Sequence, residues 1–316
     1  MTSDSDCQPA PQVYQIAELN ATQIRALDRE KTAVLLPGGI LEEHGPYLPC
    51  FTDGYLNEWL TCRLANAIAS RPGWTAVIFP TIPLGTGGAN EIGEKYSFPG
   101  TYTVRTSTLR AVFMDLATEL GEQGFRWIFV MHLHGAPNHN RILDQACAYF
   151  NDMYMGKMVN LSGLEDLFPL DDGLLTLEDQ QAAGLDVHAG TGETSWILAV
   201  QPGLVNPAYK NAISQRGESW VDLMRIAKDP DWPGYFSSPA NANASYGAAF
   251  MAKLADMYIT VVNKVLDGED LDSIPRYAEI MEGSAPNLEI DHSALEEEAR
   301  RQRKQDEWLK KRGLRA

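Results

Sequence analysis

Ligand-type side chains follow the first strongly apolar stretch of the chain. The segment LLPGGILEEHGPYLPCFTDGYL, residues 35–56, carries Glu42, Glu43, His44 and Asp53 among apolar and turn-forming residues. In extended backbone, side chains two residues apart point to the same face, so Glu42 and His44 form a pair and Glu43 points away. The intervening GPYLP predicts a turn that returns Asp53 over the end of the strand.

Two later segments add imidazoles and carboxylates to this set. They contribute His132, His134, His139, Asp186, His188 and Glu193. Imidazole and carboxylate ligands are typical of Zn²⁺, Mn²⁺ or Fe²⁺ sites, and the four cysteines lack the spacing of a thiolate zinc site. The carboxylates are numerous enough for two divalent ions that share a bridging carboxylate and activate a water between them.

The elements that must position these residues alternate along the chain. Apolar, β-branched runs predict strands at residues 32–39, 75–85, 126–135 and 157–163. Amphipathic patterns predict helices at residues 56–70, 107–124, 138–154, 192–205 and 246–268. This alternation favours an α/β fold with a mostly parallel sheet, in which ligands bind beyond the carboxyl ends of the strands. The first two metal-ligand segments follow predicted strands, so we expect them to meet there.

The domain organisation predicted from composition is simple. Residues 1–288 form one α/β domain with an acidic, loop-rich insertion at about residues 164–187, and residues 289–316 form a charged C-terminal helix. That helix is solvated or packs on a neighbouring subunit through Leu295, Trp308 and Leu309.

Charge and hydropathy exclude several classes of partner. A net charge of −16 argues against a general binder of nucleic acid or anionic membranes, because phosphate contacts need a basic face. No apolar window is long enough to span a bilayer, and the N-terminus lacks the basic-then-apolar order of a signal peptide. We therefore expect a cytoplasmic protein whose partner is a small molecule or a protein.

The motifs resemble those of the creatininase family of metal-dependent amidohydrolases. The family motif P-x-G-x-x-E-x-H-G-P-H-L-P, followed by T-D, is matched by PGGILEEHGPYLPCFTD, with Tyr47 in place of the second histidine. FPGT occurs at residues 98–101, HLHGAP corresponds to N-G-H-G-G-N, and HAGTGETS matches H-[AG]-G-x-x-E-T-S. Four motifs occur in the family order between about residues 30 and 205, which makes the resemblance specific.

The resemblance implies a three-layer αβα fold, two divalent metal ions per chain (Zn, Mn or Fe) and a homo-oligomer, usually a hexamer. The ligands that the motifs carry over are Glu42, Asp53 and His134 for one ion, and His44 with the bridging Asp53 for the other. In the creatinine-hydrolysing members the remaining ligand is a glutamate, where this chain has Ala136. Glu193 is the candidate that replaces it, and the departure weakens the case for creatinine as the substrate.

Other departures concern the substrate pocket. His132 stands where most relatives have asparagine, and Lys95 where many have histidine. They suggest a pocket rebuilt for a different, anionic substrate, with Tyr47, Lys95, His132 and Gly135 as its substrate-binding candidates.

The predicted reaction is hydrolysis of a C–N bond in a cyclic amide or a formamide by the metal-activated water. By motif, His188 donates a proton to the leaving nitrogen and Glu193 belongs to the catalytic set, while backbone amides near Gly135 stabilise the oxyanion. Glu43 either orients a ligand or is solvated. Two alternatives stay open: a hydrolase of lactones or carbohydrate derivatives on the same centre, and a non-catalytic binding or scaffold protein.

Overall fold

A computed structural model describes residues 10–162, 184–270, 274, 276 and 285–314. Within them the sheet strands are β1 (Val13–Gln15), β2 (Thr32–Pro37), β3 (Thr75–Ile78), β4 (Trp127–Met131) and β5 (Lys157–Asn160). They form one parallel sheet in the order β1-β3-β2-β4-β5. The predicted parallel sheet is confirmed, with β2 at its centre.

Helices cover both faces of this sheet. They are α1 (Ala21–Ala26), α2 (Thr52–Ala69), α3 (Thr106–Glu122), α4 (Pro137–Met153), α5 (Thr191–Val200), α6 (Trp220–Lys228), α7 (Ala244–Leu266) and α8 (Ala285–Lys311). One core packs α2, α5 and α7 on the face that carries Ala33 and Leu35, and a second packs α3 and α4 on the face of Val34 and Leu36. This side-chain alternation along β2 produces the three layers of the predicted αβα fold.

The centre of the sheet determines where the polar segments emerge. Strands β2 and β4 are parallel neighbours, with Pro37 opposite Met131 at their carboxyl ends. The N–H of Gly38 donates to the carbonyl of Met131 over 2.9 Å, which continues the pairing one residue further. The segments that follow both strands therefore start side by side at one edge of the sheet.

Several element boundaries differ from the predictions: the strand predicted at residues 126–135 ends at Met131, the helix predicted at residues 192–205 ends at Val200, and two more differences have a clear cause. The strand predicted at residues 75–85 ends at Ile78, because Pro80 and Pro83 have no N–H with which to extend the ladder. The helix predicted to begin at residue 56 begins at Thr52, whose hydroxyl donates to the carbonyl of Pro49 over 2.8 Å. Asp53 consequently lies in the first turn of α2 and not in the preceding loop.

Three short elements were missed by the sequence analysis: β1, α1 and α6. β1 and α1 are too short to display a hydrophobic period. α6 is amphipathic, with Leu223 and Ala227 buried, and has a cap signal in Ser219, whose hydroxyl accepts from the N–H of Asp222, so the sequence did contain a signal for it. Residues 164–183 of the predicted insertion lie outside the described residues. In the part of the chain that the structure describes, no helix is both long and apolar enough to cross a membrane.

Candidate metal centre

Six of the predicted site residues come together at the carboxyl edge of β2 and β4. Two of the carboxylates lie in the first turns of helices, Asp53 in α2 and Glu193 in α5. The others lie in the loops that follow β2 and β4 or precede α5: Glu42, His44, His134 and His188. They can be grouped in three sets whose ligand atoms lie within 4.8 Å of one another.

The first set joins the loops after β2 and β4 to α2. Nδ1 of His134 lies 3.3 Å from Oε2 of Glu42 and 3.2 Å from Oδ2 of Asp53. Its Nε2 lies 3.1 Å from the carbonyl oxygens of Thr86 and Gly87. Carbonyl oxygens only accept, so Nε2 carries a proton and donates it. Nδ1 faces the two carboxylates, and in the neutral ring its lone pair is directed at the place between them.

The second set shares Asp53 with the first. Nε2 of His44 lies 3.3 Å from Oδ1 of Asp53 and 3.6 Å from Oε2 of Glu193, while its Nδ1–H donates to the carbonyl of Glu42 over 3.1 Å. Glu193 is oriented by the N–H of Ala189, which donates to Oε2. Ala189 has a φ of 49°, and such strained backbone is concentrated at functional sites.

The third set contains His188 with Glu42 and His44. The Nε2–H of His188 donates to the carbonyl of Glu43 over 2.7 Å, so its Nδ1 faces Oε1 of Glu42 at 3.9 Å. The Glu43 carboxylate is buried; it accepts from the N–H of Gly45 and lies 3.5 Å from Nε2 of His188. Of the two roles left open for Glu43, this position favours orientation of His188 over solvation.

The charges of the cluster are set by burial and by the short contacts within it. Burial opposes protonation of His134, but Glu42 and Asp53 outweigh it and raise the pKa to about 9. Burial also opposes protonation of His44, but Glu193 and Asp53 outweigh it, so the pKa of His44 lies well above its ordinary value. Burial would raise the pKa of Asp53, yet the imidazoles of His134 and His44 that face its two oxygens hold it below its usual range. The cluster thus stabilises positive charge in the protein interior.

Unpartnered atoms support a metal at this place. Nε2 of His44 and Oδ2 of Asp53 are buried and have no hydrogen-bond partner, although buried polar atoms are normally paired. Both atoms face other ligand-type atoms at 3.2–3.3 Å. A set of imidazole and carboxylate donors without thiolate fits Zn²⁺, Mn²⁺ or Fe²⁺. The residues present therefore fit the divalent metal ions that the sequence predicts.

The predicted substrate-binding residues are spread around the cluster. Tyr47 packs against Tyr235 with ring centroids 5.7 Å apart, and Gly135 is exposed. The ammonium of Lys95 donates to the carbonyl of Asp229 and lies 5.4 Å from the ring of Trp232. The contacts of Tyr47 and Lys95 thus lie with neighbouring loops and α6, outside the three sets.

His132 lies in the interior beneath the cluster. It is 0% exposed, its ring packs on Phe113 and His139, and burial lowers its pKa to about 3, with His134 adding to the effect. A Cβ at Gly38 would meet its Nε2 at 1.8 Å, so glycine is required there. A neutral, fully buried imidazole makes His132 a supporting side chain under His134.

One buried carboxyl near the cluster was missed. Glu91 is 8% exposed, and burial raises its pKa to about 7 against the opposing charge of Arg301, with Glu298 and Glu42 raising it further. It lies in a 3₁₀ turn at Ala89–Gly93, whose first N–H donates to Oε1 of Glu42. The sequence around it has neither helical nor strand periodicity, so nothing there predicted burial.

Comparisons with known proteins agree with the motif resemblance. A family model described as creatininase, creatinine amidohydrolase, matches residues 17–262. A mycofactocin precursor peptide peptidase from Mycobacterium ulcerans (strain Agy99) is 24% identical over 263 residues, which cover 81% of this chain and 94% of the relative. A protein of the same name from Mycolicibacterium smegmatis (strain ATCC 700084 / mc(2)155) is 26% identical over 184 residues, covering 58% of this chain and 64% of the relative.

Solved structures share the fold at low sequence identity. A putative creatinine amidohydrolase from Bacteroides fragilis NCTC 9343 has a TM-score of 0.61 at 20% identity, covering 83% of this chain and 99% of that one. A manganese form of creatininase has a TM-score of 0.61 at 22% identity, covering 81% and 99%. A mutant creatininase of Zn–Zn type has a TM-score of 0.60 at 20% identity, also covering 81% and 99%. The predicted resemblance and the predicted fold are thereby confirmed.

Proposed function

The chain belongs to the creatininase family, and from this premise we propose that it is a metal-dependent hydrolase that cleaves an amide C–N bond. The observation that carries the proposal is the pair of ligand sets that share Asp53, each with two carboxylates and one imidazole, all of them buried except the partly buried Glu193. A centre with one bridging carboxylate is the arrangement that two-metal hydrolases use.

We propose two divalent ions per chain. Glu42, Asp53 and His134 would hold the first, and His44, Asp53 and Glu193 the second. The manganese and Zn–Zn forms among the similar structures support Mn²⁺ or Zn²⁺ as the ions. When bound, such a pair lowers the pKa of a bound water toward neutrality and polarises the substrate carbonyl.

The chain's own residues orient the substrate and move the proton. His188 is held through Nε2 by the Glu43 carbonyl, and Glu42 raises its pKa to about 8 against the effect of burial. Its Nδ1 faces the cluster, and this is the atom from which a proton would pass to the departing nitrogen. Glu193 completes the second ligand set in place of the glutamate that Ala136 replaces. Gly135 is exposed and follows His134 in the chain, and backbone N–H groups there would stabilise the oxyanion.

Three substrate classes are compatible with the proposed centre, and small amides are the first candidate. The ligand sets support hydrolysis of a C–N bond in a small cyclic amide or a formamide that enters on the side of exposed Gly135, while fully buried His132 supports the site from beneath. A peptide bond is the second candidate, because both curated relatives are named as peptide peptidases. A lactone or a carbohydrate derivative is the third candidate, because the same two ligand sets would serve its hydrolysis. We also propose that the chain forms a homo-oligomer, a hexamer by family resemblance.

The test compares two histidine variants on metal-loaded protein. His134→Ala should lose the first ion and, with it, activity on a panel of cyclic amides, formamides, short peptides and lactones. His292→Ala is the matched control, because this exposed histidine of α8 pairs only with Glu296 among the described residues. Retained metal and activity in His134→Ala, or absence of metal from the wild-type protein after growth with Zn²⁺ and Mn²⁺, would overturn the proposal. Activity confined to peptides would replace the cyclic-amide class with the peptide class.

A further inference from the structure

The C-terminal helix α8 lies beyond the residues matched by the family model, yet it is bonded to the loops around the metal centre. Its Arg301 donates to the carbonyl of Tyr96 over 2.7 Å and to the hydroxyl of Thr103 over 3.1 Å. Its Asp291 pairs with Arg141 of α4 at 3.2 Å. These contacts attach the helix to its own chain, so it is part of the wall around the centre and not a free tail.

One residue of α8 reaches further inward than the others. Oε1 of Glu298 accepts from the N–H of Thr106 over 2.9 Å and from the hydroxyl of Thr86 over 3.2 Å. Its Oε2 accepts from the hydroxyl of Thr106 over 2.7 Å. Thr106 is the first residue of α3, and its preceding residue Arg105 provides no side-chain cap. Glu298 therefore caps α3 from another helix and holds Thr86 at the same time.

Thr86 connects this carboxylate to a proposed ligand. It is buried, and its carbonyl, with that of Gly87, accepts from Nε2–H of His134 at 3.1 Å. The orientation of the Thr86–Gly87 peptide decides which nitrogen of His134 is protonated and where the lone pair of Nδ1 points. Carbonyl partners of this kind orient metal-binding histidines, and their loss commonly costs about 10–100-fold in metal affinity.

We propose that Glu298 is a positioning residue for the metal centre: it holds Thr86, and Thr86 fixes the tautomer and the ring orientation of His134. The inference rests on the proposed function in taking His134 as a ligand. It adds that α8, which the family model does not include, is required for a tight first metal site in this chain.

The experiment measures metal affinity in Glu298→Ala. The Kd of the first Zn²⁺, from competition with a chelator, should rise about 10–100-fold, and the visible spectrum of Co²⁺-loaded protein should change with it. Glu296→Ala is the matched control, because this carboxylate lies two residues away on α8 and is exposed; its Kd and spectrum should equal those of the wild type. An unchanged Kd in Glu298→Ala with a lowered unfolding temperature would show that Glu298 only caps α3, and would overturn the inference.

A second pair of variants tests the route through Thr86. Thr86→Ser keeps the hydroxyl and should retain the wild-type Kd, whereas Thr86→Val removes it and should weaken binding as Glu298→Ala does. Because both act through one contact, the double variant should bind no more weakly than the weaker single variant. Independent, multiplying losses would refute the route.

A measurement on metal-free protein separates this inference from the proposed function. In protein labelled with ¹⁵N-histidine, Nε2–H of His134, assigned by its absence in His134→Ala, should exchange with solvent at least about 10-fold faster in Glu298→Ala. If the wild type binds no metal but the exchange rate changes, the proposed function fails and the positioning by Glu298 stands. If the wild type binds metal and neither the exchange rate nor the Kd changes, the positioning fails and the proposed function stands.

Discussion

Asp53 provides the sharpest test of the shared centre, because one of its oxygens faces each ligand set. Oδ1 lies 3.3 Å from His44 and Oδ2 lies 3.2 Å from His134. Asp53→Asn keeps the size of the side chain and removes its charge. If Asp53 bridges, both ions should be lost together. The Kd of each ion should rise by more than the roughly 100-fold that is lost when a residue hydrogen-bonded to a metal ligand is removed. Metal analysis after gel filtration measures the stoichiometry, and calorimetry measures each Kd.

The same substitution should change the stability of the chelator-treated protein. His134 has its pKa raised from 6.5 to about 9, against the effect of burial, by Glu42 and Asp53. A shift of this size corresponds to about 3 kcal/mol, which is the upper limit for the part of the loss that Asp53→Asn causes through His134, because Glu42 shares that shift. Since the folded pKa is the raised one, this stability is fully present below pH 6.5 and is lost as pH rises through 9. The destabilisation by Asp53→Asn should therefore be largest near pH 6 and should disappear above about pH 9.

Urea unfolding of the wild type and the variant between pH 6 and pH 9.5 measures this difference. Asp256→Asn is the control, since this carboxylate is exposed on α7; it should alter neither metal content nor stability by more than about 0.5 kcal/mol. A variant that still binds one ion stoichiometrically would refute the bridging role. A destabilisation that grows between pH 6 and pH 9.5 would refute the assignment of the paired charges.

Three further predictions concern neighbouring positions. Glu193→Gln should reduce the bound metal from two ions to one, measured by metal analysis, and loss of both ions or of neither would contradict the separate ligand sets. Glu91→Gln should stabilise the chelator-treated protein by up to about 3 kcal/mol at pH 8 and by little at pH 4.5. Burial raises the pKa of Glu91 from 4.5 to about 7, so the wild-type protein loses stability as pH rises through 7 and this carboxyl ionises, whereas glutamine does not ionise. Equal differences between variant and wild type in urea unfolding at the two pH values would contradict this. Gly38→Ala should lower the free energy of unfolding by about 2–3 kcal/mol, because the new Cβ would meet Nε2 of buried His132 at 1.8 Å; adding His132→Ala should recover much of this loss. Gly203→Ala is the control, because its Cβ would meet nothing within 4 Å, and equal unfolding free energies for the two glycine variants would contradict the clash.

The predictable part of the fold follows from local patterns. Alternating apolar strands and amphipathic helices specified a parallel sheet between two helical layers, because each element must bury its apolar face. Of the missed elements, β1 and α1 are too short to display a period, whereas α6 was missed although its buried Leu223 and Ala227 recur at helical spacing. The boundary of α2 was misplaced because its start depends on a turn at Pro49, and the apolar pattern begins only at Leu56.

The candidate site divides in the same way. Residue type and spacing selected Glu42, His44 and Asp53, since side chains two apart in extended backbone share a face. They did not assign Glu43, whose burial against His188 depends on loops distant in sequence. Nor did they find Glu91, because α8, whose Arg301 and Glu298 act on its pKa, lies about 200 residues further along the chain.

The sequence by itself determined the ligand types, the αβα fold and the edge of the sheet at which a metal would bind, because these depend on short-range spacing and on burial of apolar faces. Only the tertiary structure decided that Asp53 faces both sets, that Glu193 reaches His44, and that a charged C-terminal helix supports the loop behind His134 through Glu298. Except for His44 with Asp53, such contacts join residues about 80 to 210 positions apart. Their distances are decided by the packing of whole helices and loops, to which no local periodicity corresponds.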